Sequence, residues 1–235
     1  YRLFVNGVSV ANGPARGDNF HWRFETVDIA PQLKSGKNVL AAVVWSMGVM
    51  APWAQHTAHN AFIMQADAPE NWAANTPGDW KVARDEGWVF TPRPTFQRGG
   101  HVTGPNELVV AEKHPWGWNQ PDFDDSKWAR PISVANGVPA GLWGDGSSLW
   151  QLVPRPIPPL EEKPERMKQV VRTKKAQVAP EFVDGKAPFT IPAKTKAVVL
   201  LDREVLTNAY PEITVSGGKG ARIRLQFFLL WCQVK

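Results

Sequence analysis

Residues 1–10, YRLFVNGVSV, carry the reading on which the fold rests. Apolar and polar residues alternate on both sides of Asn6-Gly7, the pair that most readily accepts the positive φ required at both central positions of a type I′ turn. The stretch therefore predicts two antiparallel strands joined by a two-residue turn. A hairpin by itself cannot hide its apolar face, so the remaining chain must supply more strands to cover it.

Working outward, FETVDIAPQLKSGKNVLAAVVW (24–45) predicts a short extended piece, a turn led by Pro31, a second turn at KSGKN, and a continuous apolar strand from Val39 to Trp45 buried on both faces. AFIMQA (61–66) and WKVARD (80–85) predict further strands around the turn-rich NWAANTPGDW (71–80). From 99 to 146 the sequence is irregular, and only ELVVAE (107–112) predicts regular structure. WQLVPRPIPPLEEKPE (150–165) has proline at 154, 156, 158, 159 and 164, the composition of an extended polyproline-like spacer. Beyond it, KQVVRTKKAQV, FTIPA, KAVVLLDREVL, PEITVSGG and ARIRLQ give five short strand patterns. No internal repeat of fixed period is present. The expected organisation is all-β: a sandwich over 1–153, a proline-rich linker over 154–167, and an incomplete second sandwich over 168–235.

Composition agrees with a loop-rich β protein. The 235 residues are 43% hydrophobic and 21% charged, globular values, with 21 Pro, 19 Gly and 12 Trp. Tryptophan outnumbers tyrosine twelve to two, and large flat rings beyond what a core needs suit stacking on sugars. The net charge is +5, but its densest run, RMKQVVRTKK (166–175), has no interleaved aromatic ring. Nucleic-acid binding needs both, so that run reads as a solvated segment. Cys232 is the single cysteine, which excludes an intramolecular disulfide and a cysteine-built zinc site. No stretch approaches the roughly 20 apolar residues of a membrane-spanning helix. The strand at Tyr1 calls for a neighbour from residues before it, and FFLLWCQVK (227–235) is apolar enough to favour self-association through an uncovered strand.

Four stretches offer chemistry. Ser46, in VVWSMG, follows an apolar strand as a nucleophile would, with His56 and His59 nearby as bases for an esterase. Val44 occupies the place where a nucleophile elbow needs a small residue, and Pro52 interrupts the helix that should follow. The HTAH spacing of His56 and His59 would align two metal ligands on a helix, but carries little on a loop. PDFDDSKW (121–128) places Asp122, Asp124 and Asp125 in an oxygen-rich loop of the kind that can hold calcium, without the glycine and glutamate of an EF-hand. The competing reading is a turn capped by aspartate, with Phe123 and Trp128 in the core. No other cofactor is expected.

GPARGDNFHWRFE (13–25) sets Arg16, Asp18, His21 and Trp22 within a few residues, the mixture of planar polar groups and aromatic surface that a pyranose binds. The RGD of 16–18 is too short a match to imply integrin recognition. Trp116 and Trp118, on the Pro/Gly loop of HPWGWNQPDFDDSKW (114–128), predict exposed rings. With Trp22 and Trp53 they are the stacking candidates, and Arg16, Asp18, His21, Gln55 and Asp122 the polar ones.

YRLFVNG, GPARGDNFHWRFETVDIAPQLKSGKNVLAAVVW, PWGWNQPDFDDSKW, WQLVPRPIP and AYPEITVSGGKGARIRL, in that order, resemble the N-terminal region of bacterial α-L-rhamnosidase-like glycoside hydrolases, over nearly the whole chain to about Gln226. The resemblance implies accessory domains, the first a galactose-binding-like (jelly-roll) sandwich, with the catalytic carboxylates on a separate α/α barrel that this chain does not reach. It implies a rhamnose-containing saccharide as ligand and a periplasmic or secreted bacterial setting, while the charge and hydropathy patterns above lead to no nucleic acid or membrane partner. Where the family continues RIRL into a strand rich in Tyr, Glu and Ala, this sequence turns to FFLLWCQVK. Hydrolysis of a glycosidic bond needs two carboxyl groups flanking it, and no pair here is singled out by its context. The expected function is carbohydrate binding without glycosidic catalysis; the rivals are the Ser46 esterase and a scaffold that binds nothing.

Overall fold

In the computed structural model, the described residues are 1–51, 57, 59–92, 104–141 and 149–227. Trp53, Gln55, His56, Cys232 and most of FFLLWCQVK lie outside them. The chain forms two compact units, Tyr1–Leu160 and Glu161–Lys235. The fold is all-β: among the described residues regular structure consists of short strands and 3-10 turns, and no helix is long and apolar enough to cross a membrane.

The first unit is built around the hairpin. Strand β1 (Arg2–Val5) pairs antiparallel with β2 (Val8–Asn12) on one side and β4 (Leu40–Val43) on the other. Asn6 has φ 50° and Gly7 φ 83°, the pair of positive values a type I′ turn requires. Asn6 does more than turn the chain. Its side-chain amide donates to the Gln32 carbonyl and to Asn38 Oδ1, each at 2.9 Å, and its Oδ1 accepts from the Val39 amide at 3.0 Å, so the turn itself steers the returning chain into β4. β1 is thus a central strand, with Leu3 5% and Val5 0% exposed on one face. On the opposite face Phe4 meets the edge of Trp118, centroids 5.4 Å apart.

β3 (Trp22–Phe24), β7 (Gly137–Pro139) and β8 (Trp150–Pro154) form a second sheet in the order β3-β8-β7, with both pairings parallel. Trp150, 8% exposed, opens β8 and packs edge-on against Trp22 at 6.5 Å. β5 (Trp88–Thr91) and β6 (Asn106–Val109) make a separate antiparallel pair.

An ion pair closes the unit. Arg155 Nη1 donates to Glu25 Oε1 at 3.0 Å, and both side chains are 8% exposed. Glu25 also accepts from the Ala15 amide and the Tyr1 hydroxyl. Burial first, then the bond to Glu25, pushes the Tyr1 phenol well above its ordinary pKa. The rest of the Arg155 guanidinium donates to the carbonyls of Ile157 and Pro158, so the first residues of the proline-rich stretch are fastened to the first unit.

Several expectations are corrected. The apolar run 39–45 is not covered on both faces: Ala41 is buried, but Val44 and Trp45 are each 42% exposed, because the strand ends at Val43. AFIMQA forms no strand; Met64 and Ala66 bond instead to Thr76 and Asn75 across the turn-rich loop, where those side chains compete for the backbone amides. WKVARD keeps a single bridge, Val82 to Ala129.

In the second unit β9 (Gln169–Lys174) and β10 (Val198–Asp202) pair antiparallel with a bulge between Leu200 and Leu201. Phe182 and Phe189 meet edge-to-face at 4.7 Å, and Arg203 pairs with Glu165. No described residue of this unit is buried. Among the described residues FTIPA, PEITVSGG and ARIRLQ, predicted as strands, have no strand pairing, and Ile213, Val215, Ile223 and Leu225 stand 49–60% exposed.

Candidate functional site

The predicted polar loop folds on itself. Asp18 Oδ1 accepts from the amides of Phe20 and His21 at 2.8 and 2.9 Å, an Asx turn, and His21 Nδ1 lies 3.1 Å from the same oxygen. Desolvation opposes ionisation of Asp18, but the amide of Phe20 and the ring and amide of His21 outweigh it and hold the carboxyl below its usual pKa. Asp18 and His21 are 64% and 59% exposed, and Arg16 is exposed beside them. Trp22 follows in β3, where it meets Trp150 in a T-shaped contact at 6.5 Å.

The aromatic loop 114–128 divides its rings. Trp118 does not stand free as predicted: it packs on Phe4 and covers the outer face of β1. Gln120, beyond it, lies where a Cβ on Gly7 would sit, 2.1 Å away, so the loop is moulded onto the hairpin turn. Phe123 and Trp128 pack on each other at 5.6 Å and are half-buried. Trp116 is the exposed ring, at 66%. Its Nε1 donates to the Ala111 carbonyl at 2.7 Å, which satisfies its one polar atom internally and leaves ring surface for solvent.

The aspartates of this loop are engaged singly. Asp125 pairs with Lys81 Nζ at 2.7 Å. Asp124 accepts from the Ser126 amide, and its bonds to Ser126 hold its carboxyl below the usual value. Asp122 is exposed. Among the described residues no three His, Cys, Asp or Glu side chains come together to hold a metal ion, so the calcium reading of Asp122, Asp124 and Asp125 finds no cluster. Ser46 Oγ accepts from the Gly48 amide at 3.1 Å in a turn leading to a 3-10 segment, Gly48–Met50, rather than to the helix of a nucleophile elbow. His59 is exposed, and its carbonyl accepts from the Thr57 hydroxyl.

The structure adds two residues that sequence reasoning passed over. His114 Nδ1 donates to Asp85 Oδ2 at 2.7 Å, with 15% and 27% of the two side chains exposed. The imidazole meets Trp116 edge-on at 4.5 Å and Trp88 at 6.5 Å. Asp85 and His114 are 29 residues apart, and only the pairing of β5 with β6 brings them together. The one available signal was that each lies next to a predicted strand end. Among the described residues no hydrogen bond, ion pair or ring contact joins this cluster to Arg16, Asp18 or His21.

Two comparisons relate the chain to known proteins. Over 151 residues, 61% of its length, the chain is 28% identical to an α-L-rhamnosidase of Streptomyces avermitilis. It superposes on the crystal structure of a GH78 family rhamnosidase of Bacillus sp. GL1 with a TM-score of 0.57, at 25% identity over 75% of the chain. This chain is homologous to part of an α-L-rhamnosidase. The rhamnosidase-related chain spans 11% of the Streptomyces protein and 17% of the Bacillus one. No protein-family model matches it.

Proposed function

We propose that this chain is a carbohydrate-binding region of a rhamnosidase-like glycoside hydrolase, taking a rhamnose-containing saccharide on the Trp116 ring and performing no glycosidic cleavage itself. The observation that carries this reading is Trp116: a ring 66% exposed, held by its own N–H on Ala111 and braced by His114. A ring fixed in this way offers its apolar face without losing rotamer freedom on binding, which is what a pyranose face requires. Both compared proteins are named as rhamnosidases, which supports a rhamnosylated ligand. Three carboxylates oriented by the first unit already sit in pairs, Glu25 with Arg155, Asp85 with His114 and Asp125 with Lys81, which supports binding over catalysis.

Isothermal titration with L-rhamnose and rhamnosylated oligosaccharides tests the reading. Saturable binding that weakens at least about tenfold, roughly 1.4 kcal/mol, in Trp116→Ala with unchanged circular dichroism is the expected result. Binding unaltered by Trp116→Ala, or no saturable heat with any of these sugars, overturns it.

A further inference from the structure

We infer that Asp85, His114, Trp88 and Trp116 form a subsite for a neutral pyranose, in which His114 Nε2 bonds a sugar hydroxyl between two indole rings. The inference rests on the carbohydrate-binding reading above and adds the polar half of the site.

The pair is built in advance of any ligand. Asp85 Oδ1 accepts from the Gly87 amide at 2.8 Å, and Oδ2 accepts from His114 Nδ1 at 2.7 Å, so each carboxylate oxygen has a fixed donor. Gly87 is buried, and a Cβ there would lie 2.5 Å from the His114 amide nitrogen; only glycine lets the two backbones approach this closely. The Gly87 carbonyl in turn accepts from the Val110 amide at 2.7 Å, anchoring the chain that leads to His114.

A carboxylate facing Nδ1 engages that nitrogen and leaves Nε2, on the opposite edge of the ring, for a sugar hydroxyl, which can either donate or accept. Among the described residues no hydrogen bond reaches Nε2. The rings beside it are not absorbed into a core: Trp88 is 46% and Trp116 66% exposed. A clasp serving only the β5–β6 base needs the Asp85–His114 bond but gives no reason for two exposed indoles set around the imidazole. A saccharide uses both, with ring carbons on an indole and a hydroxyl on the nitrogen. The Asp85 charge beside the imidazole repels a sugar acid, so the ligand class is neutral.

The test uses the whole chain, with L-rhamnose and a rhamnosylated oligosaccharide as probes and galacturonic acid as the acidic control. His114→Asn keeps a nitrogen near the Nδ1 position for Asp85 but lacks Nε2. It should lose at least about tenfold in affinity, one hydrogen bond of ordinary strength plus the lost brace on Trp116, and the 15N titration below isolates the Nε2 bond. Trp88→Ala should weaken binding as well. Wild-type affinity in His114→Asn alongside weakened Trp116→Ala would reduce the pair to a clasp and leave the carbohydrate-binding reading standing. Binding by neither wild type nor variants would overturn that reading and this inference together, and tighter binding of galacturonic acid would overturn the neutral class. Should His114→Asn lose its fold, the imidazole 15N resonances of the wild type decide: Nε2 shifts during sugar titration if it bonds the ligand, and an Nε2 unmoved at saturation overturns the assignment.

Discussion

Tyr1–Leu160 buries Leu3, Val5, Ala41 and Trp150, while no described residue of Glu161–Lys235 is buried. The contrast does not follow from sequence pattern. PEITVSGGKGARIRL (211–225) alternates as clearly as YRLFVNGVSV, and its glycines take the positive φ a turn uses, at Gly217, Gly218 and Gly220. What separates them is pairing. β1 has a strand on each side and Trp118 over its outer face, whereas among the described residues the 211–225 segment has no strand partner. Alternation specifies which side chains share a face; it does not supply what covers that face.

The sharpest way to break the contrast is to remove the clasp of the first unit. Arg155→Ala should leave Glu25 buried without its guanidinium, held only by the Tyr1 hydroxyl and the Ala15 amide, at a cost of about 3 kcal/mol. Urea unfolding followed by tryptophan fluorescence reads this unit almost alone, since Trp231 is the single tryptophan of twelve beyond Leu160. A loss below about 1 kcal/mol would show the pair to be solvent-screened.

Next in size are matched truncations. Val5→Ala, at a fully buried position, should cost about 2 kcal/mol, and Leu200→Ala, at a half-buried one in β10, less than about 1 kcal/mol. Hydrogen exchange of β1 and β9 amides reads the two units separately, and equal losses would erase the distinction. Gly7→Ala should cost roughly 1–2 kcal/mol, because φ 83° disfavours a Cβ and Gln120 occupies its place.

The smallest effect concerns the Asp18 turn. Its carboxyl titrates below the ordinary range when folded, so its contribution is present above the unfolded value and is lost as pH falls through the folded one. Exchange of the Phe20 and His21 amides should therefore gain protection above that range and lose it on the acid side, and Asp18→Asn should flatten the profile. A pH-independent protection pattern would show that the Asx turn does not depend on charge.

The legible parts of the fold were those fixed by neighbours in sequence. The hairpin followed from Asn6 and Gly7, whose φ preferences act within one peptide unit, and β6, β9 and β10 followed from short apolar runs. AFIMQA misled because its composition suits a strand while Thr76 and Asn75 satisfy its backbone with side chains. The site was legible in half. Trp116 was rightly read as exposed, but its neighbour Trp118, equally aromatic and two residues on, turned inward onto Phe4. Nothing in the PWGW stretch distinguishes the two rings.

By itself, then, the sequence determined an all-β chain, the turn at Asn6-Gly7 and a set of tryptophans in excess of core needs, because dihedral preference, period and composition are local properties. Tertiary structure alone decided which rings are spent on packing, that Arg155 closes on Glu25 from 130 residues away, and that Asp85 meets His114 beside Trp116. Those choices depend on strand partners brought together across long stretches of chain, and burial and the pairing of charge exist only after that closure.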